Sequence, residues 1–263
     1  MIILVIGDIT GRPGRTVTAK AIQQLKKEHS IDLVIANGEN LAHGTGMTPR
    51  TYDELREAGV DFFTSGNHIL KKLEVIPLLE AKDVRVLRPL NFPPGNPGQG
   101  ATVLSVGGKR LLIVNLIGRV FMPQHYDCPF RAIDALLSEY ESEPLDGILV
   151  DFHAEATSEK IAMKHYLDGR VAALWGTHTH VPTADADVTS QGLAYITDVG
   201  MVGPKHSVIG VKADTIIESL LTQTSFKADY EEGECNFNAI LLNLTGRTRC
   251  ETIQPILLTL SSL

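Results

Sequence analysis

A chain of 263 residues, 43% hydrophobic and 21% charged, has the composition of a soluble globular protein and can bury a sizeable core without staples. Its net charge of -7 excludes a protein that grips long nucleic acid through many phosphates. Three scattered cysteines, Cys128, Cys235 and Cys250, exclude a disulfide framework and point to a reducing interior.

The chain opens with `IILVI` (2–6), a buried strand that reaches Asp8 too soon for a signal peptide. In `RTVTAKAIQQLKKEH` (15–29), Val17, Ala21, Ile22 and Leu25 recur at helical spacing. A strand follows at `DLVIAN` (32–37), then a helix beginning near Pro49, then the strand `VDFFTS` (60–65). A further helix is predicted over 72–81, leading to a strand `VRVL` (84–87).

The Pro- and Gly-rich stretch 88–100 reads as a loop between two layers, because strands resume on both sides of it. Gly107-Gly108 stands between two β-rich runs and marks a hairpin. Phe130, Ile133, Leu136, Leu137 and Tyr140 mark a helix, and `DGILVDF`, a helix near 158–167 and `VAALW` form a second βα series. The tail ends in two strand-like runs, `FNAILLNLTG` and `TRCETIQPILLTL`. One domain is the simplest organisation. No run of about 18 apolar residues occurs, so a cytoplasmic protein without a membrane span is expected.

The chemistry gathers at the strand ends. The first strand ends at Asp8, the second at Glu39-Asn40, the third at Asn67-His68. `GILVDFH` ends at His153, and `VAALWGTHTH` at His178 and His180. In open α/β sheets, ligands bind beyond the carboxyl ends of the strands. Any one of these residues alone reads as a cap or a solvated turn. Five strands ending alike read as one cavity. In extended backbone His178 and His180 would point the same way, towards one ion or two adjacent ones.

The remaining histidines, His29, His43, His125, His165 and His206, lack this setting. Arg12 and Lys205 read as solvated loop charges near the cleft. Mixed nitrogen and oxygen donors without thiolate favour Fe, Mn or Zn over a structural zinc knot. Two such ions about 3.5–4 Å apart would clamp a phosphoryl group and generate hydroxide, with Glu39 as the bridging carboxylate.

The ordered set `GD`, `GEN`, `GNH`, single His, `GTHTH`, continued by `YITDVGMVGP` (195–204), resembles the calcineurin-like metallophosphoesterases, and among them the YmdB-type branch. The likeness spans nearly the whole chain. It implies a four-layer α/β/β/α fold, with mixed β-sheets sandwiched between helices. It implies a phosphodiesterase acting on 2′,3′-cyclic nucleotides through two metal ions, iron first, with manganese or zinc as alternatives. Asp8, Glu39, Asn40 and His180 would surround one ion, and Glu39, Asn67, His153 and His178 the other. His68 would be the proton donor.

Thr10 stands where the wider superfamily has a histidine, and Glu39 where it has Asp; both departures belong to the YmdB-type branch. The segment `GNHILKK` lacks the aromatic and Asp that the branch carries after `GNH`. The expected partner is a small phosphodiester, with no long nucleic acid and no membrane; a homo-oligomer is compatible with the sequence. The rival expectation is a regulatory module that binds metal and nucleotide with negligible turnover.

Overall fold

In the computed structural model, which describes residues 1–225, 229–230 and 233–263, the first strand already sorts its side chains by pleat. In β1 (Ile2–Ile9), Ile3 and Val5 face one apolar cluster while Leu4 and Ile6 face another, as alternation in a strand requires. α1 (Gly11–Glu28) lays Val17, Ala21, Ile22 and Leu25 on the Leu4/Ile6 side. It begins earlier than the periodicity predicts, because Pro13 lacks an N–H and is tolerated in a first turn. Arg12 therefore sits in that turn rather than in a loop.

β2 (Leu33–Asn37), α2 (Pro49–Glu57) and β3 (Phe62–Thr64) follow. Thr48 caps α2 in a reciprocal box with Thr51. The helix predicted over 72–81 is a correction. Two 3₁₀ turns, Ile69–Lys71 and Leu73–Val75, precede a single helical turn, α3 (Ile76–Leu79). Pro77 lacks the N–H that a helix arriving from upstream would need, so the α-helical turn begins only at Ile76 and Pro77 sits in its first turn. The `VRVL` strand is a second correction: only Val86 bridges, to Phe63.

β4 (Ala101–Val106) and β5 (Lys109–Ile117) form the hairpin at Gly107-Gly108. α4 (Pro129–Glu139), β6 (Gly147–His153), α5 (Thr157–Leu167) and β7 (Ala173–Thr177) make the second βα series. β8 (Asp187–Val188), β9 (Ala194–Ile196), β10 (Met201–Pro204) and α6 (Ala213–Thr222) lead to the long hairpin β11 (Glu234–Gly246) and β12 (Arg249–Ser261).

Among the described residues there are two six-stranded sheets, ordered β12-β11-β10-β1-β2-β3 and β4-β5-β6-β7-β9-β8. β1, β2, β3 and β10 run parallel, as do β5, β6, β7 and β9. Between the sheets lies a core that joins Ile3, Val5 and Ile35 to Leu111, Ile113 and Trp175. Ile133, Leu136, Met163 and Leu167 of α4 and α5 pack on the outer face of the second sheet. The layers are α/β/β/α, the expected fold of the metallophosphoesterase type. Among the described residues no helix is long and apolar enough to cross a membrane.

Candidate metal centre

The parallel registers bring the predicted strand ends together. Asp8 lies opposite Asn37, and Asn37 opposite Thr64; in the other sheet His153 lies opposite Thr177. Beyond these ends Glu39 is central. Its Oε1 lies 3.3 Å from His153 Nε2, 3.2 Å from His68 Nδ1 and 3.3 Å from Asn40 Nδ2. Its Oε2 accepts the His68 main-chain N–H at 2.9 Å.

On one side of Glu39, Asn67 Oδ1 and His178 Nδ1 each lie 3.1 Å from His153 Nε2. On the other, His180 Nε2 lies 3.3 Å from Asn40 Nδ2 and 3.9 Å from Asp8 Oδ1. All eight residues singled out in the sequence therefore meet in one place. The amide nitrogen of Asn40, rather than its oxygen, faces His180, while Asn40 Oδ1 lies 2.8 Å from His68 Nδ1.

The two histidines of `GTHTH` are not in extended backbone. β7 ends at Thr177, and His178 and His180 adopt φ of 95° and 67°. This left-handed geometry turns them apart, His178 towards His153 and His180 towards Asp8. The local strain of such non-Gly residues persists where surrounding contacts determine it. Here Asp198, fully buried, supplies them. It accepts the Thr179 N–H at 3.2 Å and hydroxyl at 2.7 Å, and pairs with buried Lys160 at 2.7 Å.

Each imidazole has one nitrogen committed outside the cluster. His180 Nδ1 donates to the Ile209 carbonyl at 3.1 Å, and His178 Nε2 donates to Glu155 at 3.1 Å. His153 Nδ1 lies 2.9 Å from Thr177 Oγ1. The single Thr177 hydroxyl proton goes to Asp151 Oδ1 at 2.8 Å, so His153 Nδ1 is the donor. What faces inward is His153 Nε2, His178 Nδ1 and His180 Nε2. Ligating histidines are oriented in this way, through the ring nitrogen that does not bind.

The donor set fits a cation on three further counts. The ligand atoms of Glu39, His153 and His178 all lie within 4.8 Å of one another. Asp8 Oδ2 accepts the His178 N–H at 3.1 Å, but Asp8 Oδ1 is buried without a hydrogen-bond partner among the described residues. Such a group is costly unless something cationic meets it. Finally, a Cβ on Gly66 would overlap the His153 ring and come within 2.5 Å of Glu39 Oε2, so the space is kept clear.

Electrostatics agree. Burial raises the Asp8 carboxyl, against the lowering influence of His180 and His153. Burial also pushes Glu39 upward, but the charge and hydrogen bond of His153, with help from His68, leave it well below the usual carboxylate range. His153 responds in kind: burial disfavours its charge, yet Glu39, then Asp8 and Asp151, hold its pKa up at about 9. His178, buried next to that charge, falls to about 3.

Several contributors were missed in the sequence: Asp151, Glu155, Lys160, Thr177 and Asp198. Glu155, two residues after His153, carried the one local signal that could have found it. Of the two cations expected in loops, Arg12, in the first turn of α1, lines a basic recess with Arg15, Arg50 and Lys72 beside Ala42 and His43. Lys205 is exposed and pairs with Glu234 at 3.5 Å.

A family model described as YmdB-like protein matches residues 4–256. The 2′,3′-cyclic-nucleotide 2′-phosphodiesterase of Bacillus subtilis (strain 168) is 42% identical over 250 residues, which cover 95% of this chain and 93% of that one. The fold is similar to a crystal structure of a hypothetical protein from Thermus thermophilus, with a TM-score of 0.91, 46% identity, and coverage of 98% and 99% of the two chains. It is also similar to a crystal structure of a novel phosphatase from Mycoplasma pneumoniae, with a TM-score of 0.90, 34% identity, and coverage of 99% and 94%.

Proposed function

The chain belongs to the YmdB-like protein family, and from that premise we propose that it is a metal-dependent phosphodiesterase of 2′,3′-cyclic nucleotides. The observation that carries this reading is Glu39, whose Oε1 lies 3.3 Å from His153 Nε2 on one side while the adjacent Asn40 lies against His180 on the other, so that it stands between two groups of ligand side chains. Asp8, Glu39 and His180 would hold one ion, joined by Asn40 through its Oδ1, the atom that also meets His68; Glu39, Asn67, His153 and His178 would hold a second. Iron is our first choice, with manganese or zinc as alternatives. Bound there, two such ions supply Lewis-acid charge for the phosphoryl oxygens and lower the pKa of the attacking water.

The protein's own residues do the rest. The Ile209 carbonyl, Glu155 and Thr177 fix which nitrogen each histidine presents. His68, with 31% of its side chain exposed, engages Asn40 through Nδ1. Its Nε2 is therefore the atom that hands a proton to the departing ribose oxygen. General acid help of this kind is typically worth about 10²–10⁴ in rate.

The test is a single-turnover assay on 2′,3′-cyclic nucleotides before and after chelation and metal restoration. Ring opening that is lost and restored with metal is the expected result. Nucleotide that stays intact on fully loaded protein would instead mark a binding module.

A further inference from the structure

Asn67, whose Oδ1 lies 3.1 Å from His153 Nε2, also forms part of the wall of a separate cavity of about 360 Å³. Leu70, Phe92, Pro93 and Tyr126 supply its apolar lining. The rings of Phe92 and Tyr126 are stacked, 4° from parallel with centroids 5.1 Å apart. Through Asn67 the cavity adjoins the metal cluster, and the stacked rings form part of its wall.

This cavity is built rather than incidental. Its two aromatic residues come from different loops, and buried Asn91 ties the loops together. The Asn91 amide donates to the carbonyls of Ile117 and Asp127, each at 2.8 Å, and accepts the Ile117 N–H at 2.9 Å. The Asn91 carbonyl accepts the Asp127 N–H at 3.0 Å. Phe92 follows Asn91 directly and Tyr126 precedes Asp127, so one buried side chain sets the spacing of both rings.

Two amides stand at the cavity's edge with complementary capacity. Gln124 Oε1 accepts the Tyr126 hydroxyl at 2.8 Å, which leaves its N–H groups as donors. Asn96 donates to the Pro93 carbonyl at 2.8 Å, which leaves its oxygen as an acceptor. Aromatic and apolar lining with an amide donor and an amide acceptor, and with Lys71 and His125 as further polar neighbours, complements a nucleobase, and the volume falls in the range of small-molecule sites.

We propose that this cavity takes the base of the substrate nucleotide, stacked against the Phe92–Tyr126 pair, with Gln124 and Asn96 reading its edge. The inference rests on the phosphodiesterase reading and supplies what that reading leaves open, the part of the substrate that is recognised away from phosphorus. Stacking tolerates every base, so the aromatic pair sets affinity and the two amides set preference. Asn91 is a positioning residue.

Two measurements on the purified protein separate this inference from its premise. The first is equilibrium binding of the four nucleoside 3′-monophosphates against ribose 3-phosphate. The base should tighten binding about ten- to hundredfold, and Tyr126→Ala should remove most of that gain while binding of ribose 3-phosphate changes little. Gln124→Ala, at an exposed position that need not disturb folding, should reorder affinities among the four bases. Equal binding with and without a base overturns the proposal, as does a Tyr126→Ala loss that affects both ligands alike. The second measurement is kcat/KM for nucleoside 2′,3′-cyclic phosphates against ribose 2′,3′-cyclic phosphate. Base-dependent binding without hydrolysis supports the cavity and sinks the phosphodiesterase reading. Equal kcat/KM with and without a base does the reverse.

Discussion

His153 Nδ1 lies 2.9 Å from Thr177 Oγ1, and the Thr177 hydroxyl passes its only proton to Asp151 Oδ1 at 2.8 Å. This relay decides that His153 Nε2 is the nitrogen presented to Glu39 and His178. Thr177→Val keeps the shape and removes the relay. Partners of this kind are typically worth about 10–100-fold in metal affinity, and that loss is expected in a competition titration against a chelator. Asp151, raised to about 6 chiefly by burial against the pull of its Thr64 and Thr177 hydrogen bonds, should rise further when Thr177 is lost. Unchanged metal affinity in Thr177→Val would mean that packing alone orients the ring.

The metal-free protein should lose stability as it is made alkaline. His153 has a folded pKa of about 9 against an ordinary value of 6.5. A raised histidine contributes stability that is fully present below 6.5 and lost as pH rises through about 9. The melting temperature of chelated protein should therefore fall across that window. A cation must also displace the His153 proton, so metal affinity should climb with pH over the same range. Calorimetry in two buffers of different ionisation enthalpy would read the proton released. A flat melting profile with no proton release would contradict the His153–Glu39 pairing.

His68→Ala separates proton donation from metal holding. Turnover on 2′,3′-cyclic nucleotides should fall about 10²–10⁴-fold. Metal content should stay near that of the parent, because none of the side chains proposed to hold either ion is His68 itself. Elemental analysis beside kinetics checks both. Loss of metal would show that His68 holds Asn40 and Glu39 in place rather than delivering a proton. A diester with a leaving group that needs no protonation should be spared in the variant.

The cluster was legible because its donors are side chains placed where apolar runs stop. Asp8 and His153 stand in the last residues of buried strands and Asn67 lies a short turn past one, and parallel pairing carries such ends to one edge. What anchors them was not legible. His180 is fixed by a main-chain carbonyl, Ile209, and Thr177 reads in sequence as one more strand residue. Lys160 falls on a helix as an ordinary solvated cation, and only the approach of α5 to β7 buries it against Asp198. The alternation rule also failed at His178 and His180, since the strand stops at Thr177 and the backbone turns left-handed. The 72–81 periodicity misled for a local reason, the missing N–H of Pro77.

Lys160 should matter far more than its position suggests. Its Nζ lies 2.7 Å from Asp198 Oδ2 and 2.9 Å from the Thr177 carbonyl, with both side chains at 1% exposure or less. Asp198 Oδ2 also receives two hydrogen bonds from Thr179, and Oδ1 accepts the Gly200 N–H at 2.8 Å. The pair thereby fixes the turn that carries His178 and His180. Lys160→Met leaves Asp198 charged and buried without its cation, a change that typically costs about 3–5 kcal/mol, readable by urea unfolding. Lys160→Met with Asp198→Asn removes both charges and should recover part of that stability, since the neutral amide can still serve Thr179 through its oxygen. Metal affinity should follow the turn rather than the charge: weakened in the single variant and improved in the double one. If the single variant binds metal as the parent does, the left-handed backbone at His178 and His180 is held by something other than this ion pair.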